Sequence, residues 1–208
     1  EIVTSGVTLD LMGLDLVGVA GMGGFDGVSA TENILTNITV VNGSTRNWGG
    51  EGVDLGLHGA INCLVERVHA SGNAGYGITT GPSCTISNCS VKGSAVNGIA
   101  AGADCTLSGC SAFQNSGIGI VAGVGGSVTN CSAHSNSNHG INVSDGSSLA
   151  NCAAVDNGGT GITAGFGSTL SNCSAKGNTG IGISTGQGST LSNCLANGGL
   201  SGGISTGI

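Results

Sequence analysis

The chain has 208 residues, of which 7% are charged and 2% aromatic, with four Lys plus Arg against eleven Asp plus Glu and a net charge of −7. So few cations exclude a phosphate-backbone partner such as nucleic acid, and an acidic polysaccharide would be repelled unless cations bridged it. No apolar run reaches the roughly 18–20 residues that span a membrane, and a globular core would lack large side chains, so the chain reads as a narrow architecture built by repetition.

In chain order, the first element is the alternating stretch Val7, Leu9 and Leu11, with the period of two that marks a strand with one face inside. A long connection, Gly18–Gly27, follows and carries Phe25 and Asp26. Beyond it, Arg46, Trp48, Glu51, Asp54, His58, Glu66, Arg67 and His69 form the densest group of reactive side chains in the chain. The spacing is irregular here. The step from Gly52-Val53 to Gly77-Ile78 is longer by four positions than the step from Gly77-Ile78 to Gly98-Ile99. The extra length fits at Leu55–Ala60 and predicts a protruding loop that bears His58; insertions in solenoids often map to a binding face.

From Gly77 onward equivalent positions recur at i+21. Cys89, Cys110, Cys131, Cys152, Cys173 and Cys194 form one column, and Ile78, Ile99, Ile120, Ile141, Ile162, Ile183 and Ile204, each after a Gly, form another. Val65 through Leu191 and Ala70 through Ala196 keep the same step. Three short strands and three corners per coil, stacked at about 4.8 Å as parallel strands, define an all-β parallel β-helix. It forms one domain over 1–208, with irregular coils in 1–76 and regular ones in 77–208. Corners are expected where Asn or Gly tolerates left-handed backbone. Three columns qualify: Asn88 through Asn193; Asn73, Asn115, Asn136, Asn157 and Asn178 with Ser94 and Gly199; and Gly81, Gly102, Gly123, Gly165 and Gly186.

The cysteines on adjacent coils point the same way, which holds their Cβ atoms beyond the usual ~3.8 Å of a disulfide. Val68 occupies the same rung, so the column reads as small buried core residues. Cys63, Cys84 and Cys105 begin a second ladder, continued by Gly126, Ser147, Ser168 and Ser189. Cys84 and Cys89, flanking one corner, are the pair that could bridge instead. The cysteines show no CxxC with a partner His, so no metal site is expected.

The units beginning Asn-Cys-Ser-Ala, Asn130–Ile141 and Asn172–Ile183, together with the opening Gly6–Gly18 and the stretch Asn37–Gly56, resemble the right-handed parallel β-helix repeat proteins of the pectate-lyase-like superfamily, in particular secreted bacterial members of uncertain function. The resemblance implies a right-handed coil and a secreted or cell-surface placement. It also brings in carbohydrate chemistry. A polysaccharide lyase needs a base, for which Arg46 or Arg67 would serve, and a cation such as Ca2+ near Asp54 and Glu66. A glycosidase needs two carboxylates, again Asp54 and Glu66. Trp48 and His58 would line a sugar site. The Asp clusters of pectin hydrolases and pectate lyases are not recognisable, and beyond Ca2+ in a lyase no cofactor is expected.

Lys92 and Lys176 read as solvated edge charges, and His134 and His139 as surface residues. Three functions compete, and the sequence favours the first, with the second as its alternative and the third as a minor one. One is a structural or interaction β-helix that stacks end to end with itself, favoured by the regularity and the plain outward residues. The second is a carbohydrate-binding or carbohydrate-active module using residues 46–69, with a polysaccharide partner. The third is an ice- or surface-binding face on the hydroxyl column Thr85, Thr106, Ser127, Ser148, Thr169 and Thr190.

Overall fold

Triplets such as Thr169–Ser171, with one apolar residue between two hydroxyls, bury a single side chain and leave the flanking pair outside; in the computed structural model they are three-residue strands. The structure describes residues 1–19, 23–197 and 201–207; Gly199, expected in a corner column, lies outside them. Each regular strand pairs in parallel with its equivalent one coil on, as Ile78 does with Ile99 and Thr106 with Ser127.

The coils have three faces. Face one runs from Thr85–Ser87 to Thr190–Ser192. Face two runs from Ser90–Lys92 to Leu195–Asn197. Face three begins at Val28–Ser29 and continues through Val53–Leu55 and Ile78–Thr80 to Ile204–Thr206. Two eight-residue strands, Thr39–Arg46 and Leu64–Ser71, run unbroken through the corner between faces one and two. They join those faces into one sixteen-stranded sheet, while face three is a separate nine-stranded sheet. Leu55 pairs with Thr80 and Leu64 with Thr85. The connection from Leu55 to Leu64 is longer by four positions than the one from Thr80 to Thr85, so the insertion falls in the loop between these rungs.

The core is thin and filled by repetition. Ile78, Ile99, Ile120, Ile141, Ile162 and Ile183 are fully buried, as are Leu107, Leu149 and Leu170. All nine thiols are free, including Cys84 and Cys89, and eight of them are buried. They are more than apolar filler. The backbone N–H of Cys63 donates to Cys84 Sγ at 3.3 Å and that of Cys84 to Cys105 Sγ at 3.2 Å. Further along the same column, Ser147 N–H donates to Ser168 Oγ at 3.3 Å and Ser168 N–H to Ser189 Oγ at 3.2 Å. Thiol and hydroxyl interchange there because either can accept a hydrogen bond from the preceding coil.

One expected corner column holds and two shift. Asn88, Gly109, Asn130, Asn151, Asn172 and Asn193 have positive φ, as does Asn42. The second corner lies at Gly72, Gly93, Gln114, Ser135, Asp156 and Gly177, one residue before the Asn column. The third lies at Ser83, Asp104, Gly125, Gly146, Gly167 and Gly188, two residues after the Gly81 column. The asparagines displaced from the second corner are buried and hydrogen-bond to one another. Asn115 Nδ2 donates to Asn136 Oδ1, Asn136 Nδ2 to Asn157 Oδ1 and Asn157 Nδ2 to Asn178 Oδ1, each at 2.9 Å. A buried amide is stable only when its polar atoms are satisfied, and stacked copies do this for each other. The Gly before each core Ile makes room for the ladder: a Cβ on Gly140 would come within 2.7 Å of Asn157 Nδ2.

From Asn42 onward the first corner column has one member that is neither Asn nor Gly. Arg67 sits there with φ 51, in a region that costs other residues roughly 1–2 kcal/mol.

Candidate functional site

The column just before the Gly–Ile of face three points outward and begins Asp26, Glu51, Tyr76 and Asn97, as shown by the pairing of Val28, Val53, Ile78 and Ile99. Asp54 is the outward residue of the next strand, yet it is only 3% exposed. The inserted loop folds over it: the N–H groups of Gly56 and Leu57 donate to Asp54 Oδ1 at 2.9 and 3.0 Å. The Glu51 N–H donates to Asp26 Oδ1 at 2.7 Å. Carboxylate oxygens of Asp26, Glu51 and Asp54 lie within 4.8 Å of one another, beside a cavity of about 250 Å3 lined also by Leu57, Tyr76 and Thr79.

Three carboxylates so close cannot all stay charged without a counter-charge. Burial, the hydrogen bond to Asp26, and the charges of Asp26 and Asp54 push the Glu51 carboxyl up to about 7, so a proton shared between Glu51 and Asp26 relieves the repulsion. A hard cation such as Ca2+ would do the same, held by Asp26, Glu51 and Asp54. Ca2+ takes six to eight oxygens, and two of the carboxylate oxygens are already committed to backbone N–H groups, so the trio would fill part of a shell.

The residues expected at the site are spread over several surfaces. Asp54 faces outward on face three and Glu66 on face one, so the two do not form the carboxylate pair expected of them. Trp48 is half-buried, and its indole N–H donates to the Leu16 carbonyl at 2.9 Å, which commits its polar edge to the backbone. His58 is on the inserted loop, its Nδ1 3.3 Å from Asn33 Oδ1. Arg46 Nε donates to Asp15 Oδ2 at 3.2 Å. Arg67 Nη1 donates to Glu66 Oε1 at 2.6 Å and its Nε to Asn42 Oδ1 at 2.7 Å.

Face two carries the cations. The strand register sets Arg46, Ser71, Lys92, Phe113, His134, Val155 and Lys176 in one outward column. The neighbouring outward column includes Asp15, Ser44, His69 and Ser90. Arg67 stands at the edge of this face, on the corner. All four Lys and Arg of the chain therefore border one face, over about 29 Å at about 4.8 Å per coil. Of the eleven acids, Asp15 lies on the strands of this face, where Arg46 neutralises it, and Asp156 stands on its second corner directly after Val155. Lys92 Nζ sits 5.3 Å from the Phe113 ring centroid, and Phe113 stacks on His134 at 5.1 Å, which keeps this part of the column ordered. Net charge suggests repulsion of an acidic polymer; that treats as uniform a surface whose charge is segregated. The signal is present in the sequence, since Lys92, Phe113, His134 and Lys176 all stand on the i+21 step.

Residues 116–207 match the family described as "Right handed beta helix region". No curated protein sequence matches the chain significantly. Among solved structures, the Azotobacter vinelandii mannuronan C-5 epimerase AlgE4 A-module is similar with a TM-score of 0.64 at 15% identity, over 99% of this chain and 80% of that one. Pectate lyase Pel9A is similar with a TM-score of 0.58 at 14% identity, over 89% of this chain and 62% of the lyase, a little under two thirds of its length. The fold is a right-handed parallel β-helix, the fold of the epimerase module and the lyase.

Proposed function

We propose that the protein binds a linear acidic polysaccharide laid along face two. The observation that carries this reading is the confinement of all four Lys and Arg to that face and its edge in a chain of net charge −7. Cations set at intervals along the β-helix axis suit a long polyanion, since several weak attractions sum along its chain. The two structural neighbours are named for mannuronan and pectate, both uronic acid polymers, and this accords with the reading. Such a partner is extracellular, so the protein would act secreted or at the cell surface. The test is titration calorimetry with polygalacturonate, polymannuronate and a neutral glucan, at low and raised salt. Acidic polymers should bind, more weakly as salt rises, and the glucan should not. Equal binding of the glucan, or no binding of either polyuronate at low salt, would overturn the reading.

A second reading, axial association, is favoured by the constant register from coil to coil, in which a coil of another copy could pair in parallel as its neighbours do. Sedimentation over a wide concentration range checks it: mass should rise with concentration, and a single monomeric species throughout would discard it.

A further inference from the structure

We infer that Arg67 is the specificity-determining residue of the polysaccharide site, reading the sugar while the rest of face two supplies attraction; the inference rests on the polysaccharide reading above. Three observations converge on it. The first is backbone. Seven other positions of its corner column hold Asn or Gly at φ 52 to 62, so Arg67 keeps a left-handed conformation that an Asn would hold with less strain.

The second is orientation. Met12 N–H and Asn42 Nδ2 both donate to Asp10 Oδ1, at 2.9 and 3.1 Å. With its amide nitrogen so engaged, Asn42 turns its oxygen to Arg67 Nε, and Glu66 takes Nη1 from the other side. The guanidinium is held as a fixed fork. Three of its five N–H donors have no partner among the described residues.

The third is the ground it faces: a groove of about 400 Å3 whose polar lining is Asp15, Asn42, Ser44, Arg67 and His69. Both cations here are paired, Arg46 with Asp15 and Arg67 with Glu66, so the groove is locally close to neutral. A neutral groove of directed donors and acceptors contributes little long-range pull. It recognises by hydrogen-bond geometry, a carboxylate on the free fork and sugar hydroxyls on the flanking acids and amide. Lys92 and Lys176, with no acid paired to either among the described residues, supply the pull.

The experiment compares affinities for a polyuronate and for dextran sulfate, a polyanion without carboxylates, together with the urea midpoint. Wild type should prefer the uronate by at least about tenfold. Arg67→Asn should bring the two affinities within about twofold and raise the urea midpoint. The paired replacement Lys92→Gln with Lys176→Gln should weaken both polymers together and leave their ratio and the midpoint unchanged. Arg67→Gly, matching Gly109 in the same column, serves as a second variant if the first behaves poorly. An unchanged ratio in Arg67→Asn, or a lowered midpoint in both Arg67 variants, overturns the inference. Wild type binding both polymers equally also overturns it, while leaving the polysaccharide reading in place. Wild type binding neither polymer overturns both.

Discussion

Faces one and two share the same coil and the same strand length, and their inner columns are both apolar, Leu107 or Leu170 on one and the smaller Ala112 or Ala175 on the other. Their outer surfaces share a hydroxyl column and differ in the other: Ser90, Ser111, Ser132 and Ser174 point outward on face two beside the column of Lys92, Phe113, His134 and Lys176. From Thr85 to Ser192 the outward positions of face one are Ser and Thr, with Ala150 the exception, and the charges on its strands are the acids Asp10 and Glu66. Face two carries the basic column. Packing dictates what points inward at every rung and leaves the outward residue free. Function in such a fold is therefore written in the columns that packing does not read.

The sharpest way to break this comparison is to place one charge on either side of a single strand. Leu170→Lys buries an unpaired charge at a fully buried site and should cost more than about 4 kcal/mol; because each coil contacts only its neighbours, the loss should spread to both adjacent coils. Thr169→Lys, one residue away and exposed, should stay within about 0.5 kcal/mol. Urea unfolding compares the two, and equal effects would discard the assignment of inside and outside.

Asn136→Ala tests the polar interior. It removes the acceptor for both the backbone N–H and the Nδ2 of Asn115, and about 1–3 kcal/mol should be lost for each buried donor left unpaired. Cys152→Ala leaves a smaller defect, with an expected loss of about 1–2 kcal/mol, below that of a Leu truncation. Thiol titration of the denatured, unreduced protein should count nine free cysteines.

The smallest effect expected is one of pH. The Glu51 carboxyl, lifted from 4.5 to about 7, holds its proton more tightly in the folded state than in the unfolded chain. The stabilisation is complete below about 4.5 and lost as pH rises through about 7. Solvent reaches much of the side chain, so the change in midpoint should be slight. Glu51→Gln, which keeps a hydrogen bond towards Asp26 without titrating, should flatten the profile between these values; a profile unchanged by the substitution would assign the pH dependence elsewhere.

Periodicity makes most of the fold legible. Any residue recurring at the repeat step belongs to a column, and apolar columns must face inward, so the Ile, Leu and Cys ladders can be placed from sequence. The Asn115–Asn178 ladder cannot, because Asn serves equally in a left-handed corner and in a stacked amide row. The satisfaction of its amide comes from the next copy and is invisible within one repeat. Asp54 stands out in the sequence, but its partners do not. Glu66 lies in the same charged stretch as Asp54, whereas it is the longer step between Gly27, Gly52 and Gly77 that sets Asp26 and Glu51 in register, and the inserted loop that presses Asp54 against them. The basic column is legible only through the repeat step: a count of charges carries no position, and each cation taken singly is an ordinary surface charge.

The uniform step between coils has a consequence for how such a protein changes length. A coil touches only its two neighbours, so duplicating one repeat adds a rung without asking any other rung to repack. Each added rung extends the outward columns by about 4.8 Å. The number of repeats would thus work as a ruler along the proposed polymer, adjustable in equal increments while the interior stays the same.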